Sequence, residues 1–148
     1  MNQTAYHKAL YFLNQRDYTI QEMQQKLQKS FPIAEVEEVI VRLKDEKLLD
    51  DQRFVENYVS YMSNYGSQGG YYHAHKLQIK GIDPDLFWQF WQEINEDQLI
   101  ERTFAQNQWR FQPLNFQQKP RIMRFLNGKG FKYQQIQNLI NQLGFADE

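Results

Sequence analysis

The apolar positions of this chain recur in blocks that share one spacing. In the first block, Phe31 is followed by apolar residues at offsets of +5, +8 and +9, and blocks beginning at Ile82 and Phe131 repeat these offsets. The blocks start 51 and 49 residues apart. A period near fifty residues is typical of repeat proteins, in which one unit cannot bury its apolar face alone. We therefore predict tandem units whose neighbours share a core.

Polar residues between the apolar ones mark helix ends. Thr19 and Glu22 have the spacing of a capping box, in which the hydroxyl and the carboxylate each satisfy a free backbone amide. Asp83 and Pro84 place an N-cap before a proline in the first turn, and Gly81 stands just past a helix end. No run alternates apolar and polar residues as a half-buried strand does. These signals predict helices throughout.

The predicted fold is all-α, with nine helices in three tandem three-helix repeats, elongated and curved. The expected boundaries of the three units are 1–50, 51–95 and 96–148. Residues 110–117, which include Pro113, are expected to be irregular. Each unit should contact only its neighbours, so we expect the array to bend at its joints.

Composition limits the class of protein. Hydrophobic residues make up 41% and aromatic residues 16%, which can support a core. The mean hydropathy is −0.78, and no apolar run approaches the roughly 20 residues of a membrane helix, so we expect no membrane contact. The N-terminal residues lack a secretory signal pattern, and the chain has no cysteine. A reducing, cytoplasmic location fits these features.

The net charge of −1 conceals an uneven distribution. Residues 51–100 carry a net charge of −4, and residues 101–148 carry +4. A whole-chain charge near zero argues against strong, indiscriminate binding to polyanions, yet a local basic stretch can still form a binding surface.

The basic stretch lies in the third unit. Seven basic residues and no acidic one occur in it: Arg102, Arg110, Lys119, Arg121, Arg124, Lys129 and Lys132. These cations could bind phosphates or the acidic groups of a protein filament, and the alternative is a solvated helix face. Arg121 and Arg124 are three residues apart, so they share a helix face and are the favoured pair. The aromatic residues between the cations could stack on bases, but helical spacing favours their burial: Phe104, Trp109, Phe111 and Phe116.

Other residues are weaker candidates for binding, metal ligation or catalysis. Tyr71 and Tyr72, beside a glycine-rich loop, suit either a docking site or a partly packed surface. His73 and His75 would point to different faces of a helix, so we expect no metal site and no cofactor. Asp50 and Asp51 are expected to cap a helix rather than act as paired acids. No nucleophile and base are arranged for catalysis, so an enzyme is not expected.

The joint between the first two units carries a family resemblance. The stretch from Arg42 to Val59 contains an Arg-Leu pair, a Leu-Asp-Asp triplet and an Arg-Phe pair, and it resembles the joint between the first two repeats of RecX regulatory proteins. The segments 77–82 and 121–131 resemble the end of the fifth helix and the third repeat of that family. The stretch from 16 to 27 also fits the first repeat, and the resemblance as a whole extends over about residues 5 to 145.

This resemblance implies a non-enzymatic modulator of the recombinase RecA, built from three three-helix repeats. Such proteins bind in the groove of the RecA–DNA filament, restrain its ATPase, assembly and strand exchange, and also bind single- or double-stranded DNA. We expect a monomer. The candidate contact residues in the second unit add four to the seven above: Tyr71, Tyr72, Lys76 and Lys80.

The chain departs from the family pattern in the second unit. Where the family often has Gly-Pro followed by arginines, Gly69-Gly70 is followed here by Tyr71, Tyr72 and His73. Two other functions remain open. A DNA-binding module that acts without RecA would need a basic recognition helix, but the third helices of the first two units are acidic or aromatic. A helical-repeat scaffold for another protein is the other alternative.

Overall fold

The computed structural model describes residues 4–145 and confirms the all-α prediction. Over these residues the chain forms nine α-helices, two 3-10 helices and no strand. The α-helices are α1 (Ala5–Gln15), α2 (Ile20–Gln28), α3 (Ile33–Asp45), α4 (Asp51–Tyr65), α5 (Gly70–Ile79), α6 (Pro84–Trp91), α7 (Glu96–Asn107), α8 (Lys119–Gly128) and α9 (Tyr133–Gln142). The elongated, curved shape and the unit boundaries stay predictions.

Local capping signals explain where several helices begin. The Thr19 hydroxyl accepts the Glu22 N–H at 3.1 Å, and the Glu22 carboxylate accepts the Thr19 N–H at 3.0 Å, so the capping box at α2 is confirmed. Asp83 caps α6, whose first residue is a proline. Pro32 is the N-cap of α3, whose first residue is Ile33. These ends are fixed by neighbours in sequence, which is why the sequence predicts them well.

The segment between α7 and α8 is more regular than we expected. A 3-10 helix, Gln108–Phe111, continues directly from α7, and a second one, Phe116–Gln118, leads into α8. The peptide bond between Gln112 and Pro113 is cis. Within the stretch predicted to be irregular, 110–117, only the residues between the two 3-10 helices lack helical structure.

The buried side chains form two clusters rather than one continuous core. Helices α1 to α3, together with Leu49, enclose the first cluster, and α4 to α9 enclose the second. The expectation that every unit shares a core with its neighbour is therefore wrong at the first joint and correct at the second. Three amphipathic helices bury enough apolar surface among themselves for the first unit to keep its own cluster.

The first joint is made largely of polar contacts. Thr19, which is fully buried, donates its hydroxyl to the Lys80 carbonyl at 2.7 Å, and Gln21 donates its side-chain amide to the Ile79 carbonyl at 3.0 Å. The Lys80 ammonium lies 3.6 Å from the Glu22 carboxylate. The end of α5 is thereby docked on the start of α2, since side chains of α2 satisfy carbonyls that the last turn of a helix leaves free.

The adjacent acids Asp50 and Asp51 have different partners. Asp50 caps α4 by accepting the Arg53 N–H at 3.1 Å, as predicted. Asp51 instead accepts the Ile20 N–H at 2.9 Å, which ties α4 to the first turn of α2. Burial raises the pKa of the Asp51 carboxyl, and the hydrogen bond from Ile20 opposes that shift. The pair is thus structural, with one residue acting locally and the other across the joint.

The second joint combines the shared apolar cluster with a buried carboxylate. Glu96, at the start of α7, accepts the Gly70 N–H at 2.6 Å and the Gln135 amide at 2.7 Å. The Gly69 N–H donates to the Lys129 carbonyl at 2.7 Å. These bonds hold the start of α5 against α7 and the turn between α8 and α9. They fix the position of the third unit relative to the second.

Helix length and hydropathy bear on membrane association. In the described part of the chain, none of the helices combines the length and the apolar character that crossing a bilayer requires.

Candidate functional site

A shallow, open depression on the third unit brings together three of the predicted cations. Its volume is about 430 Å³, and six side chains line it: Trp109, Arg110, Phe111, Arg121, Arg124 and Phe125. We call it the third-unit depression. Arg121 and Arg124, the favoured pair, therefore share a surface with Arg110, which lies eleven residues before Arg121 in the sequence.

The floor of the third-unit depression is anchored in the core. Phe111 is buried, stacks on Phe104 with ring centres 6.1 Å apart, and packs edge-on against Phe125 at 5.6 Å. The 3-10 helix that carries Phe111 is thereby fixed to α7 and α8. Because Phe111 points inwards, its neighbours Trp109 and Arg110 are left on the surface.

Neutral groups orient two of the arginines. Arg110 donates from Nε to the Asn107 side-chain oxygen at 3.1 Å, and its guanidinium carbon lies 5.1 Å from the Trp109 ring centre. Arg121 donates to the Gln118 side-chain oxygen at 2.8 Å. These partners carry no charge, and among residues 4–145 neither guanidinium group forms an ion pair, so each can bind an anion.

Within the described residues, no cation of this surface forms an ion pair with a carboxylate. Across residues 4–145, the ion pairs within 4.0 Å are Arg16–Glu22, Arg42–Glu46 and Lys80–Glu22. All three involve the first unit, and none involves a cation of the third unit. An uncompensated cluster of guanidinium groups raises the local potential and favours binding of an anionic partner.

The exposure of Trp109 corrects the prediction from helical spacing. Phe104 and Phe111 are buried as expected, but Trp109 is 71% exposed, and Phe116 is exposed to 36%. Trp109 lies in a 3-10 helix, which has three residues per turn instead of 3.6, so the α-helical periodicity no longer identifies the buried face. An exposed aromatic ring beside three arginines is the feature that the periodicity missed.

Two predicted contact residues make contacts within the fold. Arg102 is partly buried and donates to the carbonyls of Ser63 and Gly66 at 3.1 and 2.8 Å, which holds the end of α4 against α7. Lys80 pairs with Glu22 at the first joint. Neither side chain joins the third-unit depression.

The other predicted cations lie over separate aromatic rings. Lys129 Nζ lies 5.5 Å from the Phe125 ring centre, at the edge of the third-unit depression. The remaining three lie elsewhere, with ammonium-to-ring distances of 5.4 to 5.9 Å: Lys132 over Trp88, Lys119 over Phe116 and Lys76 over Tyr72. The basic stretch is therefore not one continuous patch.

Tyr71 and Tyr72 lie at the second joint. Tyr71 is 55% exposed, meets the Trp88 ring edge-on at 5.6 Å and donates its N–H to the Gly130 carbonyl at 3.1 Å. Tyr72 is 38% exposed and packs against His73. Both rings therefore combine a packed side with an exposed side. Lys132 reaches Trp88 as well, so Tyr71 and Lys132 form a second, smaller surface across the joint.

His73 is a core residue. Its ring is fully buried against Trp91, and its Nδ1 shares a hydrogen bond of 2.7 Å with the Tyr58 hydroxyl, while Nε2 has no hydrogen-bond partner. Burial lowers the pKa of His73 to about 4 and raises the pKa of Tyr58 to about 12. His75 is exposed, so the two histidines do point apart. Within residues 4–145, no cluster of three or more potential metal ligands occurs.

Comparison with known proteins identifies the family. A family model described as "RecX, first three-helix domain" matches residues 5–43. The regulatory protein RecX of Trichlorobacter lovleyi is 32% identical over 149 residues, which cover 93% of this chain and 94% of the relative. The chain belongs to the RecX family.

Further RecX proteins extend the match along the whole chain. The regulatory protein RecX of Actinobacillus pleuropneumoniae is 29% identical, over 95% of this chain and 93% of its own length. The crystal structure of RecX from Lactobacillus salivarius superposes with a TM-score of 0.81 at 26% identity and covers 94% of each chain. This RecX family member therefore shares the helical fold of that crystal structure.

Proposed function

We propose that this RecX family chain binds RecA–DNA filaments and inhibits the recombinase and ATPase activities of RecA during DNA repair and recombination. The observation that carries the proposal is the similarity, along nearly the whole chain, to proteins named regulatory protein RecX. The resemblance of the joint and repeat motifs to that family implies RecA as the partner. The chain would act without catalysis, as a monomer, in the cytoplasm where RecA filaments form.

The third-unit depression supports this function physically. A RecA–DNA filament presents phosphates and acidic side chains, and both would pair with guanidinium groups that have no carboxylate of their own. Arg110, Arg121 and Arg124 are the proposed primary contacts, and Lys129 extends them. The other candidates on separate surfaces would make secondary contacts: Lys119, Lys132, Lys76, Tyr71 and Tyr72. Arg102 and Lys80 are excluded from the proposed contact surface because they hold the joints.

The proposed mode of action is that the chain lies along the filament and bridges RecA subunits or blocks the groove. The three units, with proposed boundaries at 1–50, 51–95 and 96–148, would follow successive subunits. A linear array of helical units suits such an extended partner.

Single-strand-dependent ATP hydrolysis by the cognate RecA tests the function. With increasing amounts of this protein, we expect inhibition at well below one copy per RecA subunit, because a bound copy affects several subunits of a filament. No inhibition at stoichiometric excess of folded, helical protein would exclude RecA modulation and favour the helical-repeat scaffold.

A charge-reversal pair tests the contact surface. We expect Arg121→Glu with Arg124→Glu to weaken inhibition by at least about tenfold, since each lost charge-assisted contact weakens binding and each new carboxylate repels phosphate. The matched control is Lys26→Glu with Lys29→Glu, in the last turn of α2 and at its C-cap. These two residues are also exposed and three positions apart, and their reversal changes the net charge equally. Equal effects of the two pairs would show that net charge, rather than this surface, controls binding.

A further inference from the structure

We propose that the third-unit depression binds an unpaired nucleobase of a single-stranded nucleic acid, which stacks on Trp109 while Arg110, Arg121 and Arg124 bind the adjoining phosphates. The proposal rests on the proposed function, because it names the part of a DNA-containing filament that this surface would meet. The proposal assigns the contact with the base to Trp109, an uncharged residue that lies between the cations of the basic stretch.

Two chemical properties of the depression point to this ligand. The guanidinium groups, which form no ion pair among the described residues, attract an anion. The Arg110 guanidinium carbon lies 5.1 Å from the Trp109 ring centre, and the ring, 71% exposed, still presents flat apolar surface to a ligand. A nucleotide carries both a phosphate and a flat base, and successive bases of single strands stack on aromatic side chains in cationic grooves. An acidic peptide would satisfy the guanidinium groups but would leave the indole face in water.

The exposed ring favours unpaired over paired bases. In a duplex, neighbouring base pairs cover both faces of each base, so an indole ring could reach a base only by unstacking it at a cost. A single strand presents those faces freely. The depression is also open on one side, which leaves room for the strand to enter and leave, whereas a closed pocket would admit only a free nucleotide.

The depression is preformed. Phe111 fixes the 3-10 helix to the core, and the side chains of Asn107 and Gln118 hold two of the arginines by hydrogen bonds. Binding therefore requires little ordering of the protein, and preorganisation of this kind strengthens binding by reducing its entropic cost.

Binding to oligonucleotides tests the proposal on the full chain without RecA. The probes are an oligodeoxythymidylate of about 20 nucleotides, a strand of equal length built from abasic sites, and a duplex of that length. The wild type should bind the base-bearing strand most tightly, and Trp109→Ala should weaken that binding by about five- to one-hundredfold. Binding to the abasic strand and the duplex should change by less than about twofold, since these ligands offer no free base face.

Two controls separate stacking from other effects. Tyr65→Ala removes an exposed aromatic ring outside the depression and should leave all three affinities unchanged. Binding should also quench the fluorescence of Trp109, which is the most exposed of the three tryptophans, and Trp109→Phe should remove that signal. Circular dichroism confirms that each variant is folded.

The outcomes distinguish the proposal from the function it rests on. Equal losses for the base-bearing and abasic strands would overturn stacking, and so would an unchanged affinity in Trp109→Ala. If the wild type inhibits RecA but binds no oligonucleotide, the proposal fails while the proposed function stands. If Trp109→Ala then also abolishes inhibition, the depression is a protein-binding surface.

Discussion

The carboxylate of Glu96 accepts the indole N–H of Trp91 at 2.8 Å, and both residues are buried. The same oxygen accepts the Gly70 N–H, and the second oxygen accepts the Gln135 amide. One side chain thus joins the start of α5, the end of α6, and α7 and α9. A buried carboxylate is costly unless donors surround it, and here three donors satisfy it.

Removing the Glu96 carboxylate should destabilise the second joint. Glu96→Ala leaves two buried donors, the Gly70 amide and the Trp91 indole, without an acceptor, and each such group costs about 1–3 kcal/mol. We expect the free energy of unfolding, measured by urea denaturation, to fall by about 3 kcal/mol. Glu93→Ala, at an exposed position nearby, should change it by less than about 0.5 kcal/mol. Similar values for the two variants would contradict the role of the carboxylate.

Gly130 and Gly128 form a matched pair at the same turn. Gly130 has a φ of +88°, and a Cβ there would collide with the Tyr72 backbone N, so Gly130→Ala should destabilise the protein by about 3 kcal/mol or more. At Gly128, the last residue of α8, an added Cβ meets no atom within 4 Å beyond its chain neighbours and the nearby backbone of its own helix. Gly128→Ala should therefore stabilise by up to about 1 kcal/mol, through helix propensity. Thermal denaturation checks both, and a loss of stability in both variants would contradict the close approach at Gly130.

The buried His73 should make stability depend on pH. Its pKa is lowered on folding from 6.5 to about 4, so between these values the folded state binds fewer protons than the unfolded state. The contribution to stability is therefore complete above pH 6.5 and is lost as the pH falls towards 4, by about 3 kcal/mol in all. Urea denaturation across this range measures the loss.

A substitution of His73 separates its contribution to the pH dependence of stability from the contributions of other groups. His73→Phe removes the titrating group, so we expect the stability of this variant to depend less on pH in that window, whatever its absolute value. His75→Ala, at an exposed position, should keep the wild-type dependence. A full wild-type dependence in His73→Phe would assign the effect to other groups.

Two buried threonines test the polar character of the first joint. Thr19 donates to a carbonyl 61 residues away in the next unit, whereas Thr103 donates to the Leu99 carbonyl of its own helix at 2.8 Å. Thr19→Val should cost about 2 kcal/mol and speed hydrogen exchange of amides in the last turn of α5, because the cap and the link between units are both lost. Thr103→Val should leave exchange there unchanged. Thr19→Ser, which keeps the hydroxyl, should restore wild-type exchange, and if it does not, the hydrogen bond is not the cause.

The candidate site was only partly predictable from the sequence. The basic stretch could be located because the sequence gives the position of every charged residue. The pairing of Arg121 with Arg124 follows from helical spacing alone. Which cations are free could not be predicted. Arg102 has the same charge as Arg121, but carbonyls at the end of α4 engage it, and no local pattern encodes a partner 36 residues away.

The sequence by itself determined the helices and several of their ends. Amphipathic spacing specifies a helix, and caps such as Thr19 and Asp83 act on amides two or three residues away, so this information is local. The tertiary structure decided the relations between helices: the separate first cluster, the buried Glu96 carboxylate and the exposed Trp109 ring. These depend on which surfaces meet after folding, and apolar burial is non-directional, so the spacing of residues along the chain does not specify them.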